Sequence, residues 1–253
     1  MARIIAICNA KGGVGKTTTA INTCAYLAAL GKYVLLVDMD SQANATIGLG
    51  VKMDDSYKNI YHALIDDHNP SLLIRKTSIF GFDIMPSAPN LAGATVELVT
   101  MQERENRLKK TLDSVRTSYD YILIDCPPSL GLLTVNALAA AESVLIPIQC
   151  EYYALEGLGQ LMHTIELVRQ GVNPDLQVLG VVLTMYDKRN QLAHQVVNEV
   201  MKNFPGRVFE AMIPRTVSLA EAPSFGKTIL QFDPGSRAAR AYRQLAEEIL
   251  KLS

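Results

Sequence analysis

Residues 3–18 read Arg-Ile-Ile-Ala-Ile-Cys-Asn-Ala-Lys-Gly-Gly-Val-Gly-Lys-Thr-Thr. An apolar strand, Arg3–Cys8, runs into a glycine-rich loop, and a helix-forming segment over 16–30 follows. That order predicts a phosphate-binding loop. Gly12, Gly13 and Gly15 let the backbone turn tightly and come close to an anion. Their N–H groups, with the N-terminus of the following helix, point at it. Lys16 can reach the β- and γ-phosphates of ATP, and the Thr17 hydroxyl can bind Mg²⁺. Val14 and Thr18 complete the set of residues expected around the nucleotide. The common pattern of such loops places a glycine where Ala10 stands here, and this chain instead carries a second lysine, Lys11, at the edge of the loop.

Further apolar runs are Tyr33–Met39, Phe82–Met85, Tyr121–Cys126, Ser143–Ile148, Val178–Thr184 and Val208–Ile213. Several are nearly continuous Ile, Leu and Val, the mark of strands covered on both faces. Helix-length segments fall near 104–117, 131–141, 153–170, 191–203 and 237–251, and Gly31 suits the end of the first helix. The alternation predicts an α/β fold: one doubly wound, mostly parallel sheet with helices on both faces, forming a single domain over 1–253. Residues 48–80 read as short helices and loops over one sheet edge. Hydrophobic residues make up 49% of the 253 and charged residues 19%, which suits a packed core and excludes disorder. The net charge of −1 excludes a globally basic nucleic-acid binder, so any such contact needs a local patch. The absence of a signal-peptide pattern and of a run of about 20 apolar residues points to a cytoplasmic protein without a membrane span. Cys8, Cys24, Cys126 and Cys150 include no Cys-x-x-Cys pair and read as small core residues in a reducing compartment.

Two strands end in acids. Val34–Val37 leads to Asp38 and Asp40, which alternation puts on one face at the carboxyl edge, where ligands of open α/β sheets bind. Asp40 is the candidate for placing the attacking water and organising Mg²⁺. Asp38 is a candidate for the outer metal shell, or else a loop-capping carboxylate. Tyr121–Ile124 leads to Asp125, which should hold a Mg²⁺-bound water. Pro127 and Pro128 then stiffen a loop able to sense the γ-phosphate.

Lys11–Thr18, Asp38–Gln42, Ile124–Gly131, Gln149–Gly157, Ile213–Arg215 and Glu221–Pro223 occur in that order. Together they resemble the ParA/Soj chromosome- and plasmid-partition ATPases, a deviant Walker A family related to MinD. The resemblance covers nearly the whole chain, and its last three motifs are more specific than the phosphate loop. It implies a slow ATPase that uses ATP and Mg²⁺ and forms a homodimer when ATP-bound. The dimer would bind DNA without sequence preference, and a ParB-like partner would stimulate hydrolysis and reset it. The protein would then be nucleoid-associated, with no membrane partner. Carried over by position, Lys11 would reach the partner subunit's nucleotide, Lys16 would be the phosphate-loop lysine and Asp40 the hydrolytic aspartate. Glu151 would approach the partner's ribose, and Pro214 would line the adenine pocket. Two positions depart from the family pattern: Ser41 stands in place of a proline, and Ser218 in place of an arginine that helps hold DNA.

Arg189, Arg215, Lys227, Arg237 and Arg240 make the C-terminal quarter locally basic and are the candidate DNA contacts. The main alternative is a MinD-like, membrane-associated ATPase for division-site placement. It would need an amphipathic lipid-binding C-terminal helix, whereas Ala238, Ala241, Tyr242, Leu245, Ile249 and Leu250 are small or core-like. A branch resembling nitrogenase iron protein would need a second cysteine spaced to join Cys126. A regulatory module that binds nucleotide without hydrolysing it would have no use for Asp40.

Overall fold

A computed structural model describes residues 1–52, 57–151 and 156–252. The first half contains β1 (Arg3–Ile7), α1 (Lys16–Ala29), β2 (Val34–Asp38), α2 (Asn44–Gly48), α3 (Ile60–Ile65), β3 (Arg75–Lys76), β4 (Phe82–Met85), α4 (Leu91–Glu97) and α5 (Arg107–Asp113). The second half follows with β5 (Tyr121–Asp125), α6 (Leu132–Ala140), β6 (Ser143–Gln149), α7 (Glu156–Gly171), β7 (Gln177–Tyr186), α8 (Gln191–Asn203) and β8 (Val208–Pro214). Three helices close the chain: α9 (Val217–Glu221), α10 (Ile229–Phe232) and α11 (Arg237–Leu250).

The strands form one sheet in the order β3-β4-β2-β5-β1-β6-β7-β8. All pairings are parallel except β3 with β4. Its two faces bury separate cores, as nearly continuous apolar strands require. On one face Ala6, Val37 and Ile124 meet α3 to α8; on the other Ile5, Leu36 and Leu123 meet α1, α10 and α11. The sheet is therefore covered on both sides, in agreement with the doubly wound expectation.

All seven expected strands form. The antiparallel edge strand β3 and helix α4 were not expected. Helix α4 contains Gly93, Thr95 and Val96, which are weak helix formers. It forms because Leu91, Ala94 and the following Leu98 are fully buried in the core shared with α3. Helix α5 is shorter than the expected 104–117, and Arg116–Ser118 tightens into a 3₁₀ turn.

Helix α11 packs on α1 and β8 with Ala238, Tyr242, Leu245 and Ile249 buried. The Glu248 carboxylate accepts the Glu210 and Ala211 N–H groups, both at 2.9 Å, which covers the exposed edge of β8. The apolar face of α11 is thus committed to the domain core.

One glycine in the sheet is sterically obligatory. Gly180 has φ +151°, and a Cβ there would stand 2.8 Å from the Arg207 carbonyl oxygen and 2.9 Å from Phe209 Cε2. Gly180→Ala should therefore destabilise the protein by ~2 kcal/mol, lowering Tm by roughly 4–8 °C. A thermal melt unchanged from wild type would contradict this packing.

Candidate functional site

The site grows from the carboxyl edge of β1, β2, β5 and β7, where the crossovers leave room above the central strands. Gly13 and Gly15 have φ +76° and +88°, so the loop after β1 needs glycine at both positions. Gly15 is also the N-cap of α1 and offers no side chain, and no acidic residue occupies the first turn. The free N–H groups and positive end of a 14-residue helix therefore face the cleft unneutralised. Two hydrogen bonds hold the loop from below. Thr184 Oγ1 donates to the Val14 carbonyl at 2.8 Å, and the Lys11 N–H donates to Asn9 Oδ1 at 3.0 Å.

Lys16 is only 7% exposed, and its Nζ donates to the Lys11 carbonyl at 3.1 Å. Burial lowers its pKa, and the nearby Asp125 and Asp40 oppose that shift. Lys11 is half-buried and is not part of the cleft lining.

The register pairs Asp125 with Ile7 on one side and with Asp38 on the other. Asp125 is fully buried, and neither of its oxygens accepts a hydrogen bond of ordinary geometry. Burial and the adjacent Asp38 push its pKa well up, while Thr17 and Lys16 pull it back. An orphaned buried carboxylate beside a threonine hydroxyl and a lysine is a donor set suited to a hydrated Mg²⁺. Asp40 adds a second carboxylate at the cleft wall; its Oδ1 accepts the Gln42 N–H at 3.0 Å.

Asp38 behaves differently from its neighbour. Leu35, Val37 and Met39 enter the opposite core, so Asp38 and Asp40 do share a face. Yet Asp38 Oδ2 accepts from Thr46 N at 2.9 Å and Thr46 Oγ1 at 2.8 Å, and Oδ1 accepts from Asp40 N at 3.1 Å. Burial raises its pKa to about 6 despite those bonds. Its carboxylate holds the turn from Asp40 to Thr46, as the loop-capping reading expects. Ser87 Oγ completes the brace by donating to the Asp40 carbonyl at 2.7 Å. Ser41 therefore sits in a loop fastened at both ends.

Two cavities meet over the phosphate loop. One, of about 560 Å³, is lined by the loop, Asp40, Asn44, Pro128 and Lys227. The other, of about 660 Å³, is lined by Thr18, Thr184, Pro214, Thr216 and Val217. Gly15, Thr18, Met185 and Leu219 belong to both. Met185 has φ +53°, a strained conformation for its type, at the junction. Together the cavities provide a polar end for phosphates and a more apolar end, at Pro214, for a base. The sequence reading had not singled out Met185 or Leu219. Neither carries a recognisable motif; Met185 reaches the cleft from the end of β7 and Leu219 from the middle of α9.

The other candidates are dispersed. Glu151 is exposed just past β6, outside both cavities, and 152–155 of the Gln149–Gly157 motif lie outside the described residues. Lys188, Arg189, Arg215 and Arg237 line a further cavity of about 530 Å³ with Glu210 and Asp187, and Arg189, Arg215 and Asp187 also line the 660 Å³ one. There the Arg189 guanidinium forks onto Asp187, at 2.9 and 3.1 Å. Arg240 lies one turn past Arg237 and donates to the Gly235 carbonyl at 2.6 Å. Lys227 stands apart from this group on the wall of the phosphate cleft, because Gly226 folds its loop against Gly50. Ser218 Oγ bonds Asp233 Oδ2 at 3.1 Å.

Comparison with known proteins agrees with this fold. A family model described as an AAA domain matches residues 2–178. The chromosome partitioning protein ParA of Myxococcus xanthus is 55% identical over 249 residues, covering 98% of this chain and 88% of that one. The sporulation initiation inhibitor protein Soj of Bacillus subtilis is 54% identical over 249 residues, covering 98% of each. Among solved structures, a cobyrinic acid a,c-diamide synthase from Mycobacterium smegmatis with bound ATP analogue and magnesium matches with a TM-score of 0.88. It is 37% identical and the match covers 99% of this chain and 95% of that one.

Proposed function

The chain belongs to the ParA/Soj family of partition proteins, and from that premise we propose that it is an ATP-hydrolysing DNA-segregation switch. The observation that carries the ATPase reading is the orphaned, buried Asp125 beside Thr17 and Lys16 at the mouth of a glycine-built anion cradle. ATP would lie with its phosphates on the Gly12–Thr18 backbone and its base toward Pro214. Thr17, Asp40 and Asp125 would hold Mg²⁺, directly or through its waters. Magnesium held there would supply charge neutralisation to the phosphates. Lys16 binds the β- and γ-phosphates. Asp40 orients the attacking water, and its carboxylate is aimed by the Gln42 N–H. The Asp38–Thr46 and Ser87 bonds keep that loop in register with the cleft.

Lys11 has its backbone fixed by Asn9 and its side chain outside the cleft lining. This supports a role in trans, neutralising phosphate charge across an ATP-bound homodimer. Cations supplied in trans to phosphoryl transfer are worth about 10³–10⁵ in turnover. Lys11→Ala should keep ATP binding within about ten-fold while ATP-dependent dimerisation, read by light scattering, weakens at least about 100-fold. A dimer that persists in this variant would refute the trans role.

The DNA surface proposed is the Arg189–Arg215–Arg237 face, with Arg240 beside it. Arg189 would exchange Asp187 for a phosphate. Lys227, the remaining candidate, lies apart from this face on the wall of the phosphate cleft. Three phosphate contacts per protomer predict a log–log salt slope of about −3 per protomer. The decisive experiment is binding to unrelated duplex DNA in ATP, in ADP and without nucleotide, at two salt concentrations. Salt-sensitive binding confined to the ATP state supports partition, with a ParB-like protein as the expected stimulator and the nucleoid as the site of action. Binding to liposomes in ATP, with none to DNA, would overturn it in favour of a MinD-like role. Among the described residues no helix is long and apolar enough to cross a membrane.

A further inference from the structure

Cys8 and Cys126 leave the carboxyl ends of β1 and β5 side by side. They follow Ile7 and Asp125, the last matched pair of those strands. Parallel neighbours lie about 4.8 Å apart, inside the Cα separation of about 4.4–6.8 Å that a disulfide spans. The parallel register also sends both side chains to one face, into the core that holds Ala6 and Ile124. Their Sγ atoms are 2.7 Å apart, against about 2.05 Å in a bond. Each residue is 1% exposed, so only a small neutral oxidant can reach them. Cys24 lies in the opposite core, in α1.

We propose that Cys8 and Cys126 form a redox-modification site, in which hydrogen peroxide converts the dithiol into a disulfide that weakens nucleotide binding. One sulfur attacks a peroxide oxygen, the O–O bond breaks, and a sulfenic acid forms with release of water. The second sulfur then displaces that oxygen: the S–O bond breaks, the S–S bond forms, and a second water leaves. Two electrons and two protons pass from the dithiol to the peroxide, which ends as two waters. Disulfides of this kind in reducing compartments are transient and regulatory rather than structural.

The bridge would act on the phosphate loop from beneath. Cys8 precedes Asn9, which donates to the Pro147 carbonyl at 2.8 Å and accepts the Lys11 N–H. Cys126 precedes Pro127 and Pro128, and Pro128 Cβ would stand 3.9 Å from a Cβ on Gly12. Closing the sulfurs by about 0.6 Å to bond length pulls both segments. A misplacement of about 1 Å can cost about 100-fold in catalysis; for this smaller shift beneath the loop, a fall of about ten-fold in nucleotide affinity is the expected result. The effect on ATP rests on the nucleotide-binding reading; the bridge itself does not.

The test oxidises the reduced full-length chain with hydrogen peroxide, alkylates it under denaturing conditions with iodoacetamide, and maps peptides without reductant. The expected result is a Cys8–Cys126 linked peptide lacking two hydrogens, with Cys24 and Cys150 alkylated. Affinity for a fluorescent ATP analogue should fall about ten-fold and return with dithiothreitol. Cys8→Ser, or Cys8→Ala if the serine variant does not fold, should give no linked peptide and no peroxide-dependent change in affinity. Four alkylated cysteines after peroxide would overturn the site, and a bridge that leaves affinity unchanged would overturn its action on the cleft. If reduced wild type fails to bind ATP, the nucleotide reading fails, yet the linked peptide still decides the bridge.

Discussion

Lys16→Ala is expected to raise the dissociation constant for ATP by at least about 100-fold, the largest binding effect of any single change to this chain. Truncating one member of a desolvated, hydrogen-bonded charge pair costs about 2–5 kcal/mol, or roughly 30- to 5,000-fold. Lys16 sits toward the upper part of that range for a specific reason. It is buried, and the electrostatic neighbours that support its charge are Asp125 and Asp40. The alanine variant therefore loses the phosphate's cation and also leaves two carboxylates facing a polyanion. Calorimetric titration with Mg²⁺–ATP measures the effect. The fold should survive, because among the described residues Nζ hydrogen-bonds only the Lys11 carbonyl, at the half-exposed loop. A circular dichroism spectrum like wild type, combined with affinity within three-fold of wild type, would remove Lys16 from the phosphate site.

Asp40→Ala is expected to separate binding from turnover. Positioned acid–base groups contribute about 10²–10⁴-fold, so single-turnover hydrolysis should fall by that factor while ATP affinity changes little. The loop does not depend on the Asp40 side chain alone. Asp38 holds Thr46, and Ser87 grips the Asp40 backbone carbonyl, which alanine retains. The variant should accumulate as an ATP-bound dimer that stays on DNA, visible as slowed dissociation after a competitor DNA is added. Wild-type turnover in this variant would assign the water-positioning role elsewhere. The contrast with Lys16→Ala is diagnostic: one variant fails to load, and the other loads and does not reset.

Much of this site was legible in the sequence because its parts are local. The strand–loop–helix from Arg3 to Ala29 is specified by a continuous apolar run, glycines at positive φ and a helix with an uncapped start. The aspartates at 38 and 125 were visible because each ends a run of Ile, Leu and Val that reads as a buried parallel strand, and Asp40 follows two residues after the first. The edge elements were harder. Strand β3 is two residues long and pairs antiparallel at the sheet margin. Helix α4 contradicts its own propensity and depends on burial of Leu91 and Ala94.

Residue type and spacing along the chain determined, by themselves, the fold class, the phosphate loop and the acids at the strand ends, because hydrophobic period and glycine conformation are properties of neighbouring residues. Only the tertiary structure decided which acids remain free. Asp38 and Asp125 end identical-looking strands, but Thr46 satisfies one, while among the described residues neither oxygen of the other accepts a hydrogen bond of ordinary geometry. It likewise moved Lys227 from a basic stretch to the cleft wall and brought Cys8 to Cys126, 118 residues away. Those outcomes depend on strand order. The insertion of β5 between β2 and β1 is chosen by the packing of two cores against the sheet, and no local segment encodes that choice.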